Sequence, residues 1–141
     1  MNNFGQETYD HISDDFLKSC VYKSVEGLNN LIEKIHFSND VPENRTVRLK
    51  SKKQQLVEVA KEQKWVVKDA TDAIEVMIDK GRRLLENYYY NSPCFQKDLE
   101  ELENHIQTFL SRIIDKNNKD YFAVKRRIYA LLVELNVISH S

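Results

Sequence analysis

The residues best suited to chemistry are lysines and arginines that cluster in the middle of the 141-residue chain. Residues 45–68 carry eight Lys and Arg against two Glu, a balance of +6, whereas residues 1–44 and 69–141 have balances of −5 and −2. A positive surface of this kind can neutralise phosphate groups without reading a base sequence. Lys68 belongs to the cluster, and the candidate nucleic-acid-binding residues within it are Arg45, Arg48, Lys50, Lys52, Lys53, Lys61 and Lys64.

Three interpretations of this cluster stay open. The simplest is a solvated sheet face whose lysines discourage edge-to-edge pairing of strands. The second is contact with nucleic acid, to which Trp65 or the run from Tyr88 to Tyr90 would add base stacking if these rings are exposed. The third is attraction to an acidic protein partner, including the acidic segment of another copy of the chain.

A second residue with chemical potential is His36, which stands beside Phe37 where a helical pattern ends. The imidazole could serve as a ligand or as an acid–base group. A histidine near a helix C-terminus is explained more simply by its favourable interaction with the helix dipole, or by a hydrogen bond that ends the helix. We expect the structural role. A deep pocket around His36 with clustered carboxylates would reopen the catalytic interpretation.

No other pattern in the chain predicts a reaction. The two cysteines, Cys20 and Cys94, lie in no CxxC pair and are expected to be buried free thiols. The histidines do not have metal-ligand spacing, and there is no phosphate-binding glycine loop or nucleophile elbow. The sequence therefore predicts no catalytic residues, no metal, no cofactor and no enzyme activity.

The N-terminal third predicts an arm followed by helices. Residues 1–13 form the arm, and Ser13 before Asp14 and Asp15 is a good N-cap with acids in the first helical turn. Ser24 either caps a second helix or marks a bend in one continuous helix. Gly27 interrupts the following apolar face, which we interpret as room for another element to approach.

The basic segment itself has the alternation of a small sheet. Residues 46–50 alternate between apolar and basic, as in a half-buried strand. Residues 56–60 and 65–67 are two further strand-like runs, which we predict to form a hairpin with a four-residue loop at 61–64. The simplest assembly is a three-stranded antiparallel sheet with one face covered by helices.

The C-terminal half has helical periodicity throughout. Asp69 or Thr71 is expected to cap a helix whose apolar positions run from Ile74 to Tyr88. Two apolar seams with steps of three and four residues follow it and predict an antiparallel helical hairpin. The hairpin should dock on the rest of the domain or on a second copy. The candidate interface residues are Phe95, Leu99, Leu102, Ile106, Phe109, Ile113, Ile128, Leu131 and Leu135.

The expected fold is therefore α+β, with a small three-stranded antiparallel sheet between N-terminal helices and three C-terminal helices. A single domain over 1–141 is expected, divided into an arm and helices (1–37), a turn and sheet (38–69) and a helical region (70–141). No apolar run approaches the ~20 residues of a membrane span, and the polar start lacks a signal-peptide pattern. We therefore predict a soluble, intracellular protein without membrane contact.

One set of residues resembles a known family. The set comprises Phe4-Gly5-x-Glu7, then Ile12, Phe16 and Leu17, then Leu31-x-x-x-Ile35-His36-Phe37-x-x-x-x-Pro42-Glu43-Asn44, and finally Trp65 and the helix from Ile74 to Leu85. Over residues 4–90 the chain resembles the carboxy-terminal module of uncharacterised multicopy proteins of giant viruses related to Mimivirus. In that family the module often follows a zinc finger or another presumed DNA-binding domain. This sequence has no upstream zinc ligands, so no such DNA contact is assigned to it.

Two functions follow as expectations. The first is a non-catalytic viral assembly, scaffold or protein-interaction module that associates with itself as a homodimer through the helical seams. The alternative is an accessory nucleic-acid-binding module that uses the basic hairpin face. The resemblance implies a location in the host cytoplasm, in a viral factory or in the virion.

Overall fold

The computed structural model describes residues 1–95 and 100–140, and their fold is α+β as predicted. The sheet lies in sequence between two N-terminal helices and three C-terminal helices, which confirms the predicted order. Among the described residues, no helix is both long enough and apolar enough to cross a membrane. The elements are α1 (Asp14–Lys23), α2 (Val25–His36), a 3-10 turn (Pro42–Asn44), β1 (Val47–Ser51), β2 (Leu56–Lys61), β3 (Lys64–Asp69), α3 (Ala70–Asn91), a second 3-10 turn (Pro93–Phe95), α4 (Glu100–Ile114) and α5 (Lys119–His140).

Helices α1 and α2 are separate and meet at a single residue. The hydroxyl of Ser13 accepts a hydrogen bond from the Phe16 amide, as expected of an N-cap. Ser24 joins the helices at φ +53°, and its side chain pairs with the His105 ring at 3.0 Å instead of capping α2. The sharp reversal brings the two backbones together at Gly27, where an added Cβ would lie 1.9 Å from the Cys20 carbonyl oxygen. The prediction that Gly27 admits another element is confirmed.

The sheet has the order β1-β2-β3 and is antiparallel throughout. Its inner face is apolar and packs on the helices, because Val47 pairs with Val59 and Leu49 pairs with Val57, and all four are buried. The predicted four-residue loop is wrong, since residues 61 and 64 pair with each other. The turn has two residues, both at positive φ, as in the tight turns that match strand twist.

Helix α2 is the centre of the core. Leu28, Leu31 and Ile32 are fully buried, and α2 contacts α1, α3 and α5. Helix α3 begins at the end of β3, where the Asp69 carboxylate caps the Thr71 and Asp72 amides. Helix α5 packs on α2, α3 and β1 as well as on α4. The helical hairpin was expected to dock on the rest of the domain or on a second copy. In the structure it docks on the rest of the domain.

We expect Gly27→Ala to destabilise the fold strongly, because the new methyl group meets backbone that cannot rotate away. The free energy of unfolding should fall by about 3 kcal/mol or more in urea denaturation. Gly81→Ala is the matched control, since its Cβ would meet only side-chain atoms of Leu28 and Ile32, at 3.0 Å or more, on a helix that gains propensity. Equal losses for both variants would contradict the close approach of α1 and α2.

Candidate binding surface

The predicted basic residues lie around the sheet, at both ends of its strands and on its outer face. We call them together the basic sheet face: Arg45, Arg48, Lys50, Lys52, Lys53, Lys61 and Lys64. All are exposed except Arg45, which is half-buried. They do not form one continuous track. The lysines at 50, 52 and 53 lie at the β1–β2 turn, whereas the cations at 45, 61 and 64 lie at the opposite end of the strands.

The centre of the basic sheet face is a three-residue cluster that spans all three strands. The Arg48 guanidinium lies 4.0 Å from the centre of the Trp65 ring, and its Nε donates to the Glu58 carboxylate at 3.1 Å. A cation over an indole face is attracted by the ring quadrupole. Arg48 is therefore partly neutralised, and it lies over the Trp65 ring, where a stacking base would have to displace it.

The tyrosine run does not contribute to the same surface. Helix α3 starts at the sheet with Ala70, and Tyr88 lies 18 residues further on. At a rise of 1.5 Å per residue this is about 27 Å from the sheet. The Tyr88 hydroxyl donates to the Asp14 carbonyl at the start of α1, and the Tyr89 ring packs against Phe95. The tyrosine run therefore lies at the end of α3 that is remote from the sheet.

A groove of about 600 Å³ adjoins the basic sheet face along β1. Its charged lining comprises Arg45, Arg48 and Lys50 with one carboxylate, Glu58, so the cations are in excess. Its apolar lining, which we call the apolar wall, comprises Leu132 and Leu135 of α5 with Phe37, Val47 and Leu49. The volume falls within the range of ligand-binding clefts. The groove combines an apolar wall with a cationic rim.

His36 lies at the inner end of this groove and is 4% exposed. Its Nδ1 has no hydrogen-bond partner among the described residues and faces the Glu7 carboxylate at 4.0 Å. Burial lowers the pKa of His36 to about 3. Burial also raises the pKa of Glu7 above its ordinary value, against the lowering effect of hydrogen bonds from Thr46 and Gly5. Both shifts favour the neutral forms, so at this distance the contact is not an ion pair.

A buried polar junction holds the N-terminal arm beside this site. Glu7 accepts hydrogen bonds from the Gly5 amide at 2.8 Å and from the Thr46 hydroxyl at 2.9 Å. Asn44 is fully buried, accepts from the Asn2 side chain and the Thr8 amide, and donates to the Thr8 carbonyl. Sequence reasoning found none of these pairings, because the partners are far apart in the chain and no local spacing signals them. His36 was expected to interact with the dipole of α2 or to end the helix by a hydrogen bond. Its imidazole is instead buried and uncharged, and its Nδ1 faces Glu7.

The candidate interface residues lie mostly inside the chain. Leu102 and Leu135 are half-buried, and Leu99 lies outside the described residues. Contacts within the chain account for the burial of the others, so of the described candidates Leu102 and Leu135 keep appreciable exposed surface. The residues buried in the core are Phe95, Ile106, Phe109, Ile113, Ile128 and Leu131.

Cys20 is a buried free thiol, and burial raises its pKa to about 11. Nothing is described of the Cys94 side chain. In the part of the chain that the structure describes, no three His, Cys, Asp or Glu residues are grouped so as to hold a metal ion.

We expect the protein to lose stability in acid through His36. The unfolded chain takes up a proton near the ordinary pKa of 6.5, but the folded chain does so only near 3. The stability present above 6.5 is therefore lost as the pH falls through this interval, by about 2–3 kcal/mol at pH 4.5. In urea denaturation at each pH, His36→Gln should flatten this dependence and the surface control His105→Gln should not. Parallel pH profiles for wild type and His36→Gln would refute the assignment.

Comparisons of this chain with known protein families, with curated proteins and with solved structures give no match.

Proposed function

We propose that the chain is a non-catalytic protein-interaction module that binds an acidic partner through the basic sheet face and the adjoining groove. The observation that carries the proposal is the groove itself. Three cations and one carboxylate line it beside a wall of apolar side chains. Interfaces of this composition gain specificity from charge complementarity and affinity from buried apolar area.

Two features favour a protein partner over nucleic acid. Arg48 lies over the Trp65 ring, where it competes with a stacking base, and the tyrosine run lies at the other end of α3, away from the cations. In addition, the half-buried Leu135 matches an apolar side chain better than a phosphate. Nucleic-acid binding remains the alternative, and the experiment below separates the two.

The non-catalytic part of the proposal is supported by the surroundings of His36. The sequence led us to expect a catalytic role for His36 only if clustered carboxylates surrounded it in a deep pocket. Among the described residues, Glu58 is the one carboxylate in the lining, and it is engaged by Arg48. Glu7 approaches His36 within the buried junction and is itself almost fully buried. The resemblance to giant-virus proteins adds assembly in an infected cell as the proposed setting.

The proposal can be tested by fluorescence titration, because Trp65 is the single tryptophan of the chain and lines the groove. The probes are a peptide that mixes glutamate with valine, a pure glutamate peptide of the same charge, and a single-stranded oligonucleotide of the same charge. At physiological ionic strength we expect the mixed peptide to bind most tightly. Tightest binding by the oligonucleotide would favour the alternative, and binding of none of them at low salt would overturn both.

Charge reversal supplies the matched control for the same titration. Lys50→Glu with Lys52→Glu should weaken binding of the mixed peptide about tenfold. Lys18→Glu with Lys119→Glu makes the same change in net charge at exposed lysines of α1 and α5 and should change the affinity less than about twofold. Equal weakening by the two pairs would mean that only net charge matters.

A further inference from the structure

The free edge of β1 presents unpaired backbone groups to the groove. The Ala60 amide donates to the Thr46 carbonyl at 2.8 Å, so Thr46 directs its backbone groups towards β2. Hydrogen-bonded and non-bonded pairs alternate along an antiparallel ladder, so Val47 and Leu49 direct their amide and carbonyl groups away from β2. No described residue outside the sheet hydrogen-bonds to these groups. Two donors and two acceptors are therefore available in strand spacing.

Residues from both faces of the sheet line the groove at this edge. Val47 and Leu49 belong to the inner face, whereas Arg48 and Trp65 belong to the outer face, and all four line the same cavity. A cavity with this lining extends along the open side of β1. A strand placed there would continue the sheet and meet α5 on its inner face.

The two faces select different side chains in such a strand. Residues opposite Val47 and Leu49 would face Leu132, Leu135 and the rest of the apolar wall. Residues opposite Arg48 and Lys50 would face solvent beside those cations. Opposite charges on directly facing strand residues are stabilising and like charges are destabilising. The site therefore matches an alternation of apolar and acidic residues.

The other edge strand provides an internal contrast. By the same alternation, Trp65 and Val67 direct their backbone groups away from β2 on the free edge of β3. Here Val66 and Val67 are both exposed, 43% and 48%, so no apolar wall covers either face. Of the two free edges, β1 is therefore the one that has both an apolar wall and cations beside it.

We propose that the partner binds by strand addition: an extended acidic peptide with alternating apolar residues pairs antiparallel with the free edge of β1. The inference rests on the proposed function and specifies the form of the partner. The peptide's apolar residues exchange backbone hydrogen bonds with Val47 and Leu49, and its acidic residues lie beside Arg48 and Lys50. This is the β-augmentation mode of peptide recognition.

Backbone methylation of the peptide tests the hydrogen bonds without changing its charge. The probe is Glu-Val-Glu-Val-Glu-Val-Glu with blocked ends. It is compared with two isomers that each carry three N-methyl groups, one on the three Val and the other on the three Glu after the first. In antiparallel addition the Val amides face β1, so methylation of Val should weaken binding at least tenfold more than methylation of Glu. The reverse order would indicate parallel addition, and equal affinities would overturn strand addition.

Amide hydrogen exchange locates the added strand. With saturating unmodified peptide, exchange at Val47 and Leu49 should slow at least tenfold, while Trp65 and Val67 on the β3 edge remain unchanged as matched controls. Binding without protection at Val47 and Leu49 would refute the inference and leave the proposed function intact. Failure of the unmodified peptide to bind at all would refute the proposed function as well.

A side-chain variant tests the apolar wall. Leu135→Glu places a carboxylate in the groove, where it repels the acidic peptide, and should weaken binding about tenfold or more. Ile114→Glu makes the same change at an exposed residue of α4 outside the groove and should leave binding unchanged. Equal affinities of the two variants would contradict binding along α5.

Discussion

The N-terminal arm and β1 depend on one fully buried side chain, Asn44. Its amide oxygen accepts from Asn2 and from the Thr8 backbone, and its nitrogen donates to the Thr8 carbonyl. A buried amide with three satisfied hydrogen bonds is costly to disturb, because breaking them would leave unpaired polar groups away from water. The arm can then direct the Phe4 amide to the Ala60 carbonyl, on the side of β2 where β1 also pairs. The arm thereby occupies the ladder just where β1 begins, while the outer edge of β1 stays open.

The same junction brings together residues that lie far apart in sequence. Gly5, Glu7, His36 and Asn44 converge at the start of the sheet. Their roles there are hydrogen bonding and packing, and the displaced pKa values of Glu7 and His36 follow from desolvation. A displaced pKa often accompanies function. Here burial favours the neutral form of both side chains, so their displaced pKa values are explained by packing in the fold.

The packing of the helices determines which surface remains for binding. Helix α5 covers α2, α3 and part of β1 with the apolar residues of its seam, and α4 packs beside it. The seams are therefore used to build the core, which leaves the solvent side of the sheet and the groove beside α5. Positive charge from one short segment gathers there because the hairpin folds its strands and turns into one small sheet. The proposed interaction uses that charge together with the open edge of β1.

The sequence alone determined the elements, because each depends on neighbours in the chain. Ser13 caps its helix as its position predicts, and the alternation at Val47 and Leu49 assigns the strand and its buried face. What an apolar face packs against is a different matter, since periodicity identifies a face without naming its partner. Only the tertiary structure decided that the helical seams pack inside the chain, that Arg48 covers Trp65, and that His36 lies near Glu7 beside a groove. Those relations join residues distant in sequence, and they exist only once packing has selected one arrangement of the elements.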